Sequence, residues 1–338
     1  MGLSSRKLEI RISPFDPSRI SIIATGRRYR PKHYASITEN RVYPKTCSFC
    51  PGMEHTTPPA ILVLTNGLEF KRDKGDMRVK DWLVRIFPNK YPALMREDKP
   101  ISGISTYGYH EIIVETPIHN ENIYLKYPSY TYYTLLALRR RMNEIMEDPY
   151  IKSIVVIKNR GPKAGASIVH PHLQLFANTF IQPVIESELK GFQQYLSRYK
   201  ECPLCELVEN IYEERLVLNS KYFIVYTRYA PKQSYELLVI PKIHRAYFTK
   251  VSDEELHDLA HVLSKLIRGL NIVLGDIDYN YWIHTAPKGT DEHLYHWHLE
   301  IQPLVETWGG YEKSSGVHIV TVSPEEAAKE LREAIKTL

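Results

Sequence analysis

Between Asn159 and Gln174 the chain reads Asn-Arg-Gly-Pro-Lys-Ala-Gly-Ala-Ser-Ile-Val-His-Pro-His-Leu-Gln, with His170 and His172 one residue apart. The continuation through Leu173, Leu175 and Phe176 is apolar and strand-like. Alternate residues of a strand share a face, so His170, His172 and Gln174 would stand in a row. Upstream, Gly161 and Gly165 let the backbone approach a ligand closely and present N–H groups to an anion. Such a set suits phosphate chemistry, in which a ring nitrogen attacks phosphorus while donors hold the oxygens. His-Pro-His also occurs in ordinary loops, so the rest of the chain has to decide between the two readings.

Four cysteines form two C-x-x-C pairs, Cys47 with Cys50 and Cys202 with Cys205. The N-terminus is charged and lacks an apolar signal core, which makes disulfides less expected than metal or redox roles. A redox pair needs no distant histidines. Here histidine-bearing strands follow each pair, which favours zinc.

The elements that must position these groups are legible in part. Ile10 to Ile23 is β-rich, and the cluster Arg27, Arg28, Tyr29, Arg30, Pro31 offers guanidinium groups to clamp a phosphate, or forms a solvated basic loop. Trp82 to Phe87 reads as a strand running into Pro88-Asn89-Lys90-Tyr91-Pro92, a stiffened loop suited to reading a nucleobase or ribose, or simply a turn. His110 to Glu115 is a predicted strand with His119 just beyond it as a possible third metal ligand. Pro128 to Met146 has apolar residues at helical spacing, and Ile151 to Ile157 is a buried strand leading into the histidine stretch.

With 338 residues, 43% hydrophobic and 25% charged, the chain sits in the globular range with room for about two domains on the usual ~150-residue prior. A net charge of +5 fits an anionic small molecule, and no basic run is dense enough to call for nucleic acid. No window is apolar enough to span a membrane, so a cytoplasmic protein is expected. The 24 tyrosines are spread out and read as strand and core material.

Past residue 190 the order of events repeats. Cys202-Pro-Leu-Cys205 precedes two short strands. Glu236 to His244 then echoes Glu111 to His119, and a helix opens with a capping box at Ser252 and Glu255. Tyr281-Trp-Ile-His284 leads to His296-Trp-His298-Leu-Glu300, the counterpart of His170-Pro-His172-Leu-Gln174. A carboxylate at Glu300 would repel a phosphate, so chemistry is expected in the first copy and a structural or metal role in the second.

On these motifs the sequence resembles the galactose-1-phosphate uridylyltransferase family of the histidine-triad superfamily. They are Arg27-Arg-Tyr-Arg-Pro31, Cys47-x-x-Cys50, Phe87 to Leu94, the strand ending at His119, Asn159-Arg-Gly161, Gly165-Ala-Ser167 and His170-Pro-His172-Leu-Gln174. The resemblance implies an α+β fold of two histidine-triad-like units, residues 1–190 and 191–338, each an antiparallel half-barrel sheet with helices packed to one side. It further implies that His172 attacks the α-phosphorus of UDP-glucose, and that galactose 1-phosphate then takes the uridylyl group. Gln174, Ser167, Arg27 and Arg30 would hold phosphoryl oxygens, Asn89, Asn159 and Gly165 the nucleotide, and Gly310 with Tyr311 the sugar.

The same resemblance implies structural zinc on Cys47, Cys50, His119 and His170. A second zinc on Cys202, Cys205, His244 and His296 competes with a family alternative on Glu188, His284, His296 and His298. The cysteine set is favoured because thiolates select zinc. A homodimer is implied, its active sites sharing residues between copies. Leu173 stands where the transferases usually carry glycine, and the segment Val305 to Gly316 is short. A nucleoside-diphosphate-sugar or dinucleoside-polyphosphate phosphorylase, or an adenylyltransferase using the same histidine, is therefore the alternative enzyme. A zinc-stabilised nucleotide-binding protein without turnover is the alternative from outside enzymes.

Overall fold

The computed structural model describes residues 8–29, 47–96, 105–119 and 127–338. Arg30 and the rest of its cluster to Pro31 lie outside them.

Eleven strands make one sheet in which every neighbouring pair is antiparallel. In the first half these are β3 (Leu62–Thr65), β4 (Phe70–Lys71), β5 (Trp82–Pro88), β6 (Gly108–Val114), β7 (Ser153–Arg160) and β8 (His172–Asn178). The second half supplies β9 (Leu216–Asn219), β10 (Phe223–Thr227), β11 (Leu237–Pro241), β12 (Tyr279–His284) and β13 (His298–Pro303). From the centre outward one half runs β7, β8, β6, β5, β3 and the other β12, β13, β11, β10, β9. The repeat read from the sequence is thus a repeat of strand order. The halves join where β7 pairs with β12, from Tyr279 opposite Arg160 to His284 opposite Val155.

Two long helices cover one face. The first, α1 (Pro128–Met146), carries proline at its start and buries Leu135, Leu138, Met142 and Ile145. Its counterpart in the second half runs from Asp253 to Leu274. Ser252 caps it reciprocally with Glu255, and Leu256, Leu259, Leu263, Leu266 and Leu270 form its buried stripe. Leu173, Leu175 and Ala177 of β8 face this helical layer. The alternate residues, His172 and Gln174, therefore face the other way.

Helices packed to one side were expected, but the second half is covered on both faces. Between α1 and the Asp253–Leu274 helix the chain forms α2 (Pro183–Tyr199) and α3 (Pro203–Glu209), so the capped helix is α4. Phe192, Leu204 and Leu207 of α2 and α3 pack on Ile224, Tyr226, Leu238 and Ile240. Strands β10 and β11 are apolar at every position but a terminal threonine and proline, so both of their faces must leave water. Residue 190 falls inside α2, whose Glu188 and Phe192 pack into the second half.

On the corresponding face of the first half the cysteine knuckle takes the place of the helices. Cys47 and Phe49 lie against Val63, Phe87, Ile112 and Val114.

A second sheet of three strands flanks the second half. It comprises β1 (Leu8–Ile12), β2 (Ile20–Ala24) and β14 (Val317–Val320), with β14 parallel to β2. A short helix, α5 (Gly310–Ser315), leads into β14, and α6 (Pro324–Ile335) closes the chain from its Ser323 cap. No helix among the described residues is long and apolar enough to cross a membrane.

Candidate active site and metal centres

Two four-residue clusters carry the zinc expectation. In the first, Cys50 Sγ lies 3.3 Å from His119 Nδ1 and 3.6 Å from His170 Nδ1. In the second, Cys205 Sγ is 3.2 Å from His244 Nδ1, and His296 Nδ1 is 3.7 Å from both Cys202 and Cys205. Zinc bond lengths of ~2.3 Å to sulfur and ~2.1 Å to nitrogen put tetrahedral ligands about 3.6 Å apart, so these separations fit. The ring orientations fit as well. His170 donates Nε2–H to the Thr116 carbonyl at 2.7 Å, His244 to that of Glu292 at 2.7 Å and His296 to that of Pro241 at 3.0 Å. Each ring therefore turns an unprotonated Nδ1 toward the thiols, the arrangement that readies a histidine for a metal. Burial pushes the Cys50 thiol up to about 11, so a cation is what would hold it as thiolate.

His296 thus belongs to the cysteine set. The competing set loses it, and Glu188, His284 and His298 gather with Glu300 instead. His284 Nδ1 is 3.1 Å from Glu188 Oε1, and the Tyr295 hydroxyl donates to Glu188 Oε2 at 2.6 Å. Arg19 and Arg228 each take one oxygen of Glu300 at 2.7 Å, and Arg19 also reaches Glu236 at 2.6 Å. All of these charges are buried. The four ligand-type groups are close enough to share an ion, but most of their carboxylate oxygens already face cations or a hydroxyl.

His172 and His298 occupy matching places yet differ in what their free nitrogen meets. Each donates Nδ1–H to a carbonyl two residues back, His172 to His170 at 2.8 Å and His298 to His296 at 3.0 Å. His298 Nε2 then faces Glu188 at 3.6 Å and Glu300 at 3.5 Å. Burial opposes its charge, but the two carboxylates outweigh this and raise it to about 9. Its lone pair is therefore taken by a proton at neutral pH. Burial, helped by the Lys158 charge, instead lowers His172 to about 4. A neutral imidazole with its proton fixed on Nδ1 leaves Nε2 as the nucleophilic atom. The ring is steadied edge-on by Phe49 at 5.3 Å. Behind it, Lys158 pairs with Glu115 in a buried ion pair.

Around His172 the structure gathers some of the expected residues. Gln174 and Asn89 meet at His110, whose Nε2 lies 2.9 Å from Gln174 Oε1 and 3.1 Å from Asn89 Nδ2. Gly161 and Gly165 adopt φ of 86° and 84°, which other residues rarely tolerate. The N–H groups of Ala164, Gly165 and Ala166 close the turn on the carbonyls of Gly161 and Pro162. The Gly165 backbone was expected to offer a donor to an anion. Here it supplies the turn's shape instead, because its N–H is spent inside the turn.

Ser167 is exposed at the end of that loop. Asn159 Oδ1 accepts from Asn280 Nδ2 at 2.8 Å, and Asn280 also donates to the Ala164 carbonyl at 2.9 Å. Asp278 accepts from the Lys163 N–H at 2.9 Å. The second half thus braces the loop of the first.

Arg27, Gly310 and Tyr311 belong to the small-sheet region. Arg27 is exposed in the turn after β2, where its neighbour Arg28 pairs with Glu326, and Gly310 and Tyr311 open α5. Sequence reasoning missed His110, Asp278 and Asn280. A polar residue inside a buried strand is the one signal that marks His110 and Asn280, and it marks Glu111 and His284 equally.

No protein-family model matches the chain. It is 31% identical to the ADP-glucose phosphorylase of Arabidopsis thaliana over 350 residues, covering 99% of this chain and 95% of that protein. It is 28% identical to the galactose-1-phosphate uridylyltransferase of Thermotoga maritima over 269 residues, 73% of this chain and 83% of the other. The solved structure of the Arabidopsis thaliana ADP-glucose phosphorylase with bound ADP-glucose superposes with a TM-score of 0.84 at 30% identity, covering 97% of this chain and 99% of its own. The chain belongs to the galactose-1-phosphate uridylyltransferase family, as a nucleotidyltransferase or phosphorylase within it.

Proposed function

We propose that the protein is a nucleotide-sugar phosphorylase that works through a covalent nucleotidyl-histidine at His172. The observation that carries the chemistry is the Nδ1–H of His172 bound to the His170 carbonyl, which leaves the Nε2 lone pair free. In the first step Nε2 forms a bond to the α-phosphorus of a nucleoside-diphosphate sugar, and the bond from that phosphorus to the bridging oxygen breaks. The sugar 1-phosphate leaves with the electron pair. In the second step an oxygen of inorganic phosphate attacks the same phosphorus, the P–N bond breaks, and a nucleoside diphosphate leaves. Gln174 and Asn89 supply amide groups without adding charge near the phosphates.

ADP-glucose is the substrate we favour. The similarity to an ADP-glucose phosphorylase runs through nearly the whole of both chains, and Leu173 replaces the glycine usual in the transferases. The second reading is UDP-glucose with galactose 1-phosphate as acceptor. The Thermotoga maritima relative supports it over a shorter stretch. Two zinc ions are proposed on the two cysteine–histidine clusters, where they would hold the knuckles against the histidine strands. We also expect a homodimer, in which Arg27, Gly310 and Tyr311, set beside the small sheet, would serve the His172 site of a second copy.

The test is a substrate-pair assay on wild type and His172→Ala, with ADP-glucose and phosphate against UDP-glucose and galactose 1-phosphate. Glucose 1-phosphate and ADP from the first pair, lost in the variant, support the proposal. UDP-galactose from the second pair alone moves the assignment to the transferase. Product formation by His172→Ala at the wild-type rate would sink the nucleophile.

A further inference from the structure

His110 lies in β6 and carries no role in the reading above, yet it sits between two amides of the site. Its ring stacks on Phe176 at 4.1 Å and is mostly buried. Its Nδ1 accepts the backbone N–H of Ala93 at 3.0 Å. A backbone N–H cannot be turned round, so Nδ1 carries no proton and the neutral ring must hold its proton on Nε2. That nitrogen is 2.9 Å from Gln174 Oε1. An N–H there requires the oxygen of the Gln174 amide to face it, and the amide nitrogen must then point the other way. Asn89 is set similarly, since its Oδ1 accepts the Tyr91 N–H at 2.9 Å. Its Nδ2, 3.1 Å from His110 Nε2, meets a donor and keeps its own hydrogens for other acceptors.

We propose that His110 is a positioning residue that fixes the Gln174 amide with its NH2 toward the reacting phosphate, through the chain Ala93 N–H, His110 Nδ1, His110 Nε2–H, Gln174 Oε1. This rests on the nucleotidyl-transfer reading for its consequence but not for its geometry. An amide presented by its nitrogen donates to a phosphoryl oxygen, whereas the same amide reversed would set its own oxygen against that charge. Burial lowers the pKa of His110, which keeps the ring in its neutral form at pH 7.

The experiment has two arms. In protein labelled with 15N-histidine, the His110 resonances, identified by their loss in His110→Gln, should show the Nε2–H tautomer. The Nδ1–H tautomer would overturn the proposal. In the second arm, adduct formation is followed by rapid quench with whichever nucleotide sugar wild type cleaves. His110→Leu should slow the step by roughly 10- to 100-fold while ADP binding stays within about threefold. His110→Gln, which restores a donor, should recover most of the rate. Gln174→Ala with His110→Leu should be no slower than Gln174→Ala alone, because both remove one interaction. Losses that multiply in the double variant, or an unchanged rate in His110→Leu, would reject the positioning role. Should wild type form no adduct with any nucleotide sugar, the functional reading fails, and the tautomer arm still decides the geometry.

Discussion

The imidazole of His172 gives its Nδ1–H to the backbone carbonyl of His170, 2.8 Å away, so the residue that resembles a zinc ligand also orients the residue that resembles a nucleophile. The contact spans one residue and is built by the strand itself. Any change that moves His170 moves His172 with it.

His172→Ala is expected to abolish the covalent adduct and lower turnover by at least ~10³-fold, since the whole route passes through one nitrogen. Acid-labile label on the protein from a nucleotide sugar is the readout. Label retained in the variant would place the nucleophile elsewhere.

The pH dependence follows from burial. His172 is lowered to about 4, so adduct formation should stay level from pH 8 to about 5 and fall only below that. The sign for stability is the same. Between the ordinary histidine value of about 6.5 and about 4, the unfolded chain binds protons that His170 and His172 refuse, so stability falls as pH falls through that window. Denaturant midpoints at pH 7 and pH 5 would check it, with a higher midpoint at pH 5 as the contrary result.

Zinc content should come to two per chain by atomic emission. Cys50→Ser should lose the first and Cys205→Ser the second, each with a lower melting temperature, because metal binding to a folded site is folding free energy. Only the first loss should suppress adduct formation strongly, since that cluster contains His170. Two zinc ions retained in Cys205→Ser would refute the second site.

Gly161 and Gly165 share a positive φ, 86° and 84°, but differ in ψ, 161° against 15°, and in neighbourhood. A Cβ at Gly161 would fall 1.9 Å from Asp278 Oδ1, whereas at Gly165 the nearest atom is Asn159 Nδ2 at 3.6 Å. Gly165→Ala should therefore cost only the backbone strain of about 1 to 2 kcal/mol, and Gly161→Ala clearly more, by urea denaturation. Equal losses would show that Asp278 gives way freely.

Glu300 holds two buried arginines, so Glu300→Gln should cost about 3 to 5 kcal/mol, as for any buried pair broken on one side. Lys190, paired with Glu186 at the surface, should change stability by less than about 1 kcal/mol when replaced by Ala. A stable Glu300→Gln would mean that water or the neighbouring Glu236 carboxylate compensates Arg19 and Arg228.

Much of this was legible before any coordinates. The α1 helix has the bounds that its apolar spacing predicted, and the Ser252–Glu255 box forms, because these signals act within one turn of chain. The strand order repeats as the motifs repeat, since a duplicated hydrophobic pattern buries itself in a duplicated way. The cysteine and histidine sets were legible for the same reason. Ligand types and spacing are local, and the strands that carry them are marked by their own residues.

What only the tertiary structure decided lies in contacts between distant segments. His296 could be read into either metal set until the β11 carbonyl of Pro241 turned its Nδ1 toward the cysteines. The Gly165 N–H looked available until the turn closed on Pro162. His110, Asp278 and Asn280 carry no motif and gain their places from partners 17 to 116 positions away in sequence. The sequence by itself determined which residues can do the chemistry. Which proton sits on which nitrogen was settled by backbone carbonyls and amides that only the folded sheet brings within hydrogen-bond reach.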